Sequence, residues 1–329
     1  MTEGPEILEE SSADVLTDRD AVSDVRRVRV VVTGSRGFIG SHICDAFLAK
    51  GCEVIGVDNG ASGVDNTPEG VRRIDEDVAS LVRPDLEGVD VVVHAAAYAD
   101  VRGNWEGVDG GYLARQRLVT DNFLTTAHLL EVSPPTAAFV LLSTAAIYGS
   151  SRGVMRERDA NVEFLQSPYA ASKLAAEALV AAYSARRAFR YFALRLVNAV
   201  GARTHHGVVS DFVRMQRAGR IAAIDNGAQQ KSWVHVRDAA DAVVALSGRL
   251  DAPSGVYNVS SGDLISWWDV VDAMGVDRES VLYPPSRRAG HVGDPVDLRV
   301  SSTKLSPFYR CERPVRAGIR EALLSLGWR

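Results

Sequence analysis

A tyrosine and a lysine lie one helical turn apart in the segment QSPYAASKLAAE, residues 166–177. Side chains four positions apart share one face of a helix, so Tyr169 and Lys173 can act as a pair. A free tyrosine has a pKa of about 10 and is a poor base at neutral pH, but a nearby cation favours its phenolate form. The pair could therefore remove a proton from a substrate hydroxyl, with Lys173 lowering the pKa of Tyr169. The same spacing is also common on ordinary helix surfaces. Other motifs therefore have to decide whether the pair is catalytic or only part of a helix surface.

A glycine motif, TGSRGFIG, lies between a β-branched run at 28–34 and a segment with helical spacing. Gly34, Gly37 and Gly40 permit a tight turn and let the backbone approach a pyrophosphate, which then lies at the positive end of the helix. Asp58 ends the next apolar strand, where a carboxylate would accept hydrogen bonds from an adenosine ribose and repel a 2′-phosphate. This arrangement predicts a site for NAD rather than NADP.

The elements that would position these residues alternate between strand and helix. A strong helix is predicted over 167–187, because Ser167 can cap it and Pro168 suits its first turn. Continuous apolar runs predict buried parallel strands at 28–34, 52–58, 89–97, 137–144 and 189–198. We therefore predict an α/β fold with a Rossmann-type doubly wound parallel sheet over 26–200. Residues 201–329 are expected to form a smaller substrate-binding lobe that returns some elements to the sheet.

The composition and charge favour small molecules as partners. A formal net charge of −5 argues against a nucleic-acid-binding surface and against attraction to anionic lipid. Residues 1–25 are acidic and lack the basic and apolar regions of a signal peptide, so a flexible tail is expected. No apolar run approaches the roughly 20 residues that span a bilayer. We predict no partner among nucleic acids and no membrane association.

The cysteines and histidines do not indicate a metal site. Cys44, Cys52 and Cys311 form no CxxC motif, so reduced thiols in the cytoplasm are expected. His205 and His206 are adjacent but lack carboxylate or histidine partners at ligand spacing. We predict that the protein holds no metal.

With TGSRGFIG, VDN, HAAA, STAAIYG and YAASK in this order, the chain resembles the extended short-chain dehydrogenase/reductase superfamily, specifically the NAD-dependent nucleotide-sugar epimerases and dehydratases. The resemblance covers roughly residues 27–329. It implies that Thr144, five residues before Gly149, forms a catalytic set with Tyr169 and Lys173. It also implies that Asn122 shapes the active-site helix. The NAD-binding residues expected from the glycine motif and the resemblance are Gly34, Gly37, Phe38, Ile39, Gly40, Asp58, Asn59, Asp77, Val78, Ala95, Ala96, Ala97, Asn122, Tyr169 and Lys173.

Two residues after Thr144 bear on the reaction. The family's shared first step removes a hydroxyl proton while hydride passes to NAD, which leaves a keto sugar. Its 4,6-dehydratases carry an Asp-Glu pair at the positions of Ala145 and Ala146, and its decarboxylases usually carry a glutamate at the second. Epimerisation needs no further acid or base, so we predict an NAD-dependent nucleotide-sugar 4-epimerase that acts through a transient 4-keto sugar. A dehydratase, a decarboxylase, a ketoreductase and a non-catalytic NAD-binding regulator are the alternatives.

The resemblance also implies a nucleotide-sugar site in the C-terminal part. Lys231 leads KSWVHVRD, where the family usually has a diphosphate-binding arginine, and Arg288 lies in a second such segment. Arg203 could pair with a sugar carboxylate, which makes a UDP-hexuronate as well as a UDP-hexose a candidate substrate. Trp233 would either pack against the nucleotide or fill the core, and Asp77 would either contact adenine or cap a helix. The substrate-binding residues expected are Thr144, Ala145, Ala146, Asn198, Arg203, Val209, Lys231, Trp233 and Arg288.

A homodimer is the expected assembly. The helix at 167–187 and the helix around Asn122 are rich in small residues and could form a four-helix contact with a second copy, as in many relatives. The alternative is that their small residues only allow close packing on the sheet.

Overall fold

The computed structural model describes residues 26–99, 116–219, 221, 229–282 and 297–328. The predicted tail at 1–25 and the predicted ligand Arg288 lie outside these residues. No helix among them is long and apolar enough to cross a membrane.

A sheet of parallel strands forms the centre of the described chain and confirms the predicted fold class. Its strands are β1 Arg29–Thr33, β2 Glu53–Val57, β3 Arg72–Ile74, β4 Val91–His94, β5 Ala138–Thr144, β7 Tyr191–Leu196 and β10 Gly255–Val259. Their order is β10-β7-β5-β4-β1-β2-β3. The chain leaves β1 towards β2 and later returns to β4 on the other side, so a crevice opens beyond the carboxyl ends of β1 and β4.

The sequence analysis did not predict β3, although it extends the sheet beyond β2. Its three residues, RRI, are exposed or half-buried and include two arginines, so they lack the apolar run that marks a buried strand.

Helices cover both faces of the sheet. On one face lie α1, Phe38–Leu48, and α5, Val236–Ser247; on the other lie α2, Thr125–Val132, and α3, Pro168–Arg187. The residues of β1 alternate between the two layers, with Val30 and Val32 in one apolar cluster and Val31 in the other. The sheet is therefore buried on both faces, as its continuous apolar strands predict.

Capping residues set both ends of the α3 helix. Ser167 accepts a hydrogen bond from the Ala170 N–H at 3.2 Å, and Pro168 occupies the first turn. Ala188, at φ 57°, adopts a left-handed conformation just after Arg187. This fixes the register of the 20-residue helix, and with it the places of Tyr169 and Lys173.

Residues after β7 form a second apolar cluster beside the sheet. A small sheet contains β8, Asn198–Val200, with β9, Gln230–His235, and β11, Leu264–Ser266. It packs with α4, Val208–Arg217, α6, Trp267–Ala273, and α7, Val315–Ser325. A two-stranded pair joins β6, Val154–Met155, to β12, Arg299–Val300. The strand β10 belongs to the central sheet, beside β7.

Candidate functional site

The glycine motif forms a turn too tight for any side chain. Gly34 has φ +71°, and a Cβ there would lie 2.7 Å from the Ala96 backbone nitrogen. A Cβ on Gly40 would lie 2.0 Å from the Gly34 carbonyl oxygen. Gly37 precedes α1 without a side-chain cap, and the first turn carries no acidic residue. The helix therefore presents its positive end and free backbone N–H groups, which suit a dinucleotide pyrophosphate.

Asp58 follows β2 and organises the same turn. Its carboxylate accepts hydrogen bonds from the Arg36 N–H at 3.1 Å and from the Gly60 N–H at 2.8 Å. Arg36, within the glycine motif, forms a 2.5 Å ion pair with Asp75. Asp58 thus lies at the mouth of the crevice beside the glycine turn, where the sequence predicts it.

Asp77 acts as a helix cap, one of the two roles considered for it. Its Oδ1 accepts a hydrogen bond from the Ala79 N–H at 2.9 Å, and its Oδ2 accepts one from Asn59 Nδ2 at 2.7 Å. The next residue, Val78, is buried, whereas Asn59 and Asp77 are exposed.

The end of β4 is held by a buried histidine. His94 Nδ1 lies 2.9 Å from the Thr33 hydroxyl, and its Nε2 lies 3.1 Å from the Thr126 hydroxyl. The Thr33 hydroxyl also accepts a bond from the Ala96 N–H at 3.1 Å. These bonds join β1 to the Ala95–Ala97 segment across the crevice. Burial, with a contribution from the charge of Lys173, lowers the pKa of His94 to about 3, so it is neutral.

Asn122 lies in a π-helix, Leu118–Leu124, that continues into α2. Its side chain accepts a bond from the Tyr98 N–H at 2.8 Å and donates to the Tyr98 carbonyl at 3.1 Å. It also donates to the Ser172 hydroxyl at 3.0 Å, and that hydroxyl donates to the Tyr169 carbonyl at 2.8 Å. Asn122 thus ties its helix to the first turn of α3, and local π-helical geometry is frequent at functional sites.

Thr144 ends β5 and caps the 3₁₀ turn that follows. Its hydroxyl oxygen accepts a hydrogen bond from the Ala146 N–H at 3.1 Å. The same hydroxyl interacts with the phenol of Tyr169. Gly149, at the end of the turn, has φ +51°, and a Cβ there would lie 1.6 Å from the Phe164 carbonyl oxygen. The glycine of the STAAIYG motif therefore lets the 161–165 segment close over the turn.

Burial dominates the ionisation of the tyrosine and lysine pair. It raises the pKa of Tyr169 to about 12, and the Thr144 hydroxyl opposes this only in part. It lowers the pKa of Lys173 to about 8, against the charge of Glu177. The expectation that Lys173 lowers the pKa of Tyr169 is therefore not met by the protein's own groups. The helix spacing places both residues on one face, but desolvation of the phenolate is the larger effect on the Tyr169 pKa, and the opposing contribution comes from the Thr144 hydroxyl.

The residues predicted to bind substrate lie in different surroundings. Trp233 is buried in the apolar cluster of the second lobe, which supports the core role of its two predicted roles, and Val209 is buried there as well. Arg203 donates a 2.7 Å bond to Asp45 of α1. Its guanidinium is thus held by that helix, whereas the sequence analysis expected it beside the sugar.

The remaining predicted substrate residues lie at the crevice or on the small sheet. Ala145 is buried and Ala146 half-buried in the turn after Thr144, and Asn198 is exposed on β8. Lys231 is half-buried on β9, next to β12 through its bridge to Leu298.

Four residues that the sequence analysis missed support the predicted set. Ser172 and His94 lie in the hydrogen-bond network described above. Glu177 and Arg195 form a buried ion pair behind Thr144 and Lys173. Arg195 was detectable in principle, because a charge within the apolar run FRYFALRLVN requires a buried partner.

Comparison with known proteins agrees with this geometry. The model of the NAD dependent epimerase/dehydratase family matches residues 30–260. A UDP-glucose 4-epimerase from Mycolicibacterium smegmatis is 28% identical over 301 residues, which cover 84% of this chain and 91% of that protein. UDP-glucuronic acid decarboxylase 1 of Danio rerio is 24% identical over 321 residues, with coverage of 93% and 70%. The solved structure of a Thermus thermophilus UDP-glucose 4-epimerase in complex with NAD is 28% identical, with a TM-score of 0.76 and coverage of 91% and 99%.

We predict that Gly40→Ala weakens NAD binding. The added Cβ would collide with the Gly34 carbonyl, and relief by backbone movement costs about 1–3 kcal/mol, which corresponds to roughly 5- to 150-fold in Kd if binding bears the cost. Titration calorimetry with NAD measures the change. Gly248→Ala is the matched control, because a Cβ there meets only the Val244 carbonyl at 3.4 Å. Equal NAD affinity in the folded Gly40 variant and the parent would contradict a role of this turn in binding.

Proposed function

The chain belongs to the NAD-dependent epimerase/dehydratase family, and from this membership we propose that it is a nucleotide-sugar 4-epimerase acting on a UDP-linked hexose or hexuronate. The observation that carries the proposal is the turn after β5. Thr144 is followed by Ala145 and Ala146, while Tyr169 and Lys173 are both retained on α3. In the part of the chain that the structure describes, the proposed proton-transferring groups are thus Thr144, Tyr169 and Lys173, and the two positions after Thr144 carry only methyl groups.

Tyr169 is proposed to take the proton of the sugar 4-hydroxyl. The Thr144 hydroxyl, whose oxygen is already fixed by the Ala146 N–H, would position the reacting oxygen by donating to it. Bound NAD supplies the hydride acceptor, and its oxidised ring adds a positive charge that favours the phenolate. Lys173 would hold its charge beside Tyr169 and contact the cofactor. The network through Ser172 and Asn122 keeps the start of α3 in place.

The alanine pair restricts what can happen to the resulting 4-keto sugar. Elimination of water and loss of carbon dioxide each need a proton transferred near the neighbouring carbons, and an alanine methyl can neither donate nor accept a proton. Return of the same hydride to the opposite face needs only Tyr169 to return the proton it removed. This supports epimerisation over the decarboxylation performed by the Danio rerio relative.

The nucleotide diphosphate is proposed to bind between the two lobes, with Lys231 as its cation. A lysine supplies charge but lacks the bidentate fork of the arginine usual in the family. Relatives named for UDP-glucose and UDP-glucuronic acid support a UDP-sugar as the substrate class.

The purified protein is expected to convert a UDP-hexose or UDP-hexuronate to its C4 epimer without net reduction of added NAD. Incubation with a panel of nucleotide sugars, followed by NMR and mass spectrometry, identifies the product. Absorbance at 340 nm follows NADH in the same reaction. A steady rise at 340 nm, released carbon dioxide or an accumulating 4-keto sugar would instead favour a dehydrogenase, a decarboxylase or a dehydratase.

Tyr169→Phe should abolish turnover while NAD stays bound. Removal of a general base typically lowers the rate by about 100- to 10,000-fold. Loss of one hydroxyl leaves the rest of the proposed dinucleotide site unchanged, so NAD should still bind. Epimerisation rate and NAD affinity are measured on the same preparation. Tyr183→Phe, on the same helix, removes a hydroxyl that bonds Glu131 and serves as the control, with activity within twofold of the parent. Retained activity in the Tyr169 variant would remove this residue from its proposed role.

Lys231→Ala should raise the KM for the nucleotide sugar by about tenfold or more, because a charge-assisted bond to the diphosphate is worth about 1.5–3 kcal/mol. The kcat should change less, since the diphosphate lies away from the reacting carbon. Steady-state kinetics separate the two constants. Lys50→Ala, at an exposed position after α1, controls for the loss of one positive charge. If the KM is the same in both variants, Lys231 does not bind the diphosphate.

A further inference from the structure

Arg195 of β7 and Glu177 of α3 form an ion pair behind the proposed catalytic side chains. The arginine is 4% and the glutamate 5% exposed. Arg195 Nε lies 3.0 Å from Glu177 Oε1, and its Nη2 lies 2.7 Å from Oε2. Burial alone would lower the pKa of Arg195, but the bonds to Glu177 and Tyr148 raise it. A buried pair tolerates its desolvation only where geometry and further hydrogen bonds satisfy both charges.

Those further bonds reach both sides of Thr144. Ser143, the residue before it in β5, donates its hydroxyl to Glu177 Oε1. Arg195 Nη1 donates to the Tyr148 hydroxyl at 3.1 Å, and Tyr148 lies in the 3₁₀ turn that Thr144 caps. The ion pair therefore holds the strand before Thr144 and the turn after it. A shift in either charge would move the threonine backbone.

Glu177 also acts electrostatically along α3 on Lys173. Glu177 follows Lys173 by one helical turn, and its charge opposes the lowering of the Lys173 pKa by burial. Among the described residues, Glu177 is the negative charge that acts on the lysine. Tyr169 on α3 is neutral at a pKa of about 12, and His94 from β4 is neutral at a pKa of about 3. Asn122 from the π-helix is an uncharged amide, and Arg195 from β7 is a cation on the far side of Glu177.

We propose that Glu177 is a positioning residue, which together with Arg195 and Ser143 fixes the backbone of Thr144 and keeps Lys173 charged during turnover. This inference rests on the proposed function for its activity readout. It also makes a claim about Lys173 that can be measured without turnover. In the described structure the Glu177 carboxylate is bonded by Ser143 and Arg195, so its effect on the reaction passes through its neighbours.

Glu177→Gln tests the inference, because it keeps the side-chain shape and an oxygen for Ser143 but removes the charge. We expect kcat to fall by about 10- to 100-fold, as for a small displacement of a catalytic group, with the KM within twofold of the parent. The alkaline limb of the kcat profile should move to lower pH, since Lys173 loses its proton more easily without the carboxylate. Glu177→Asp, which restores the charge, should return the limb towards its original position.

Two further variants separate positioning from general damage. Ser143→Ala keeps both charges and removes one hydrogen bond, so kcat should fall while the alkaline limb stays in place. Glu131→Gln breaks another Arg- and Tyr-bonded glutamate, paired with Arg187 at the far end of α3, and should change neither quantity. Circular dichroism melts identify any variant that fails to fold. If Glu177→Gln does not fold, Ser143→Ala carries the test, and parental kcat in that variant overturns the positioning role.

NMR titration of the protein labelled with [ε-¹³C]lysine follows Lys173 directly, with its resonance assigned through Lys173→Arg. The titration midpoint should be lower in Glu177→Gln than in the parent. An unchanged midpoint in a folded variant would overturn the inference even if the enzyme is active. A lower midpoint in a protein that epimerises none of the sugars would leave the electrostatic role supported and would reject the proposed function alone.

Discussion

Desolvation of one helix face, on which Lys173 is buried and Tyr169 half-buried, is the constraint on which the site depends. Burial acts on Tyr169 and Lys173 in the same sense, because it favours the neutral form of each. A proton-transfer pair, however, is useful only if its charged forms can be reached near neutral pH. Within the protein itself, Glu177 opposes the effect of burial on the lysine, and the Thr144 hydroxyl opposes it on the tyrosine. Water could stabilise both charges without such partners, but it would also solvate the reacting hydroxyl and weaken the electrostatic interactions inside the site.

The parallel sheet is what brings these neighbours together. Thr144 ends β5, His94 ends β4 and the glycine turn follows β1, so three separate sequence motifs meet at one edge. The long helix α3 then crosses from this edge along the sheet face, where its small residues Ala170 and Ala176 are fully buried. Close packing places Lys173 and Glu177 against the strand ends rather than in solvent. The same apolar contacts that stabilise the fold thus create the desolvation that the site has to balance.

Local sequence predicted the parts of this arrangement that depend on nearest neighbours. The apolar runs predict the central strands β1, β2, β4, β5 and β7, and Ser167 with Pro168 predicts the start of α3, because strand burial and helix capping are decided within a few residues. The strand β3 was not predicted, because its two exposed arginines interrupt the apolar pattern that indicates a buried strand. The hydrogen-bond partners of long side chains were not predicted either. Arg203 donates to Asp45, a residue 158 positions away, whereas the sequence analysis expected it beside the sugar. The direction of the Tyr169 pKa shift could not be predicted either, since it is set mainly by desolvation of the phenol, which the helix spacing does not reveal.

Ala145 and Ala146 have no acidic or basic side chain, and this limits where a proton can go in the desolvated site. A proton that leaves the sugar hydroxyl can be stored on Tyr169, and the structure places no second titratable side chain at the two positions after Thr144. In the proposed reaction, the proton that Tyr169 removes is therefore returned by Tyr169 to the same oxygen. A reaction that begins and ends with the same protonation state needs only that the sugar change the face it presents. Epimerisation meets this condition, whereas elimination ends with protons on different atoms and requires a second transferring group. The turn that Thr144 caps thus limits the chemistry as much as the tyrosine enables it.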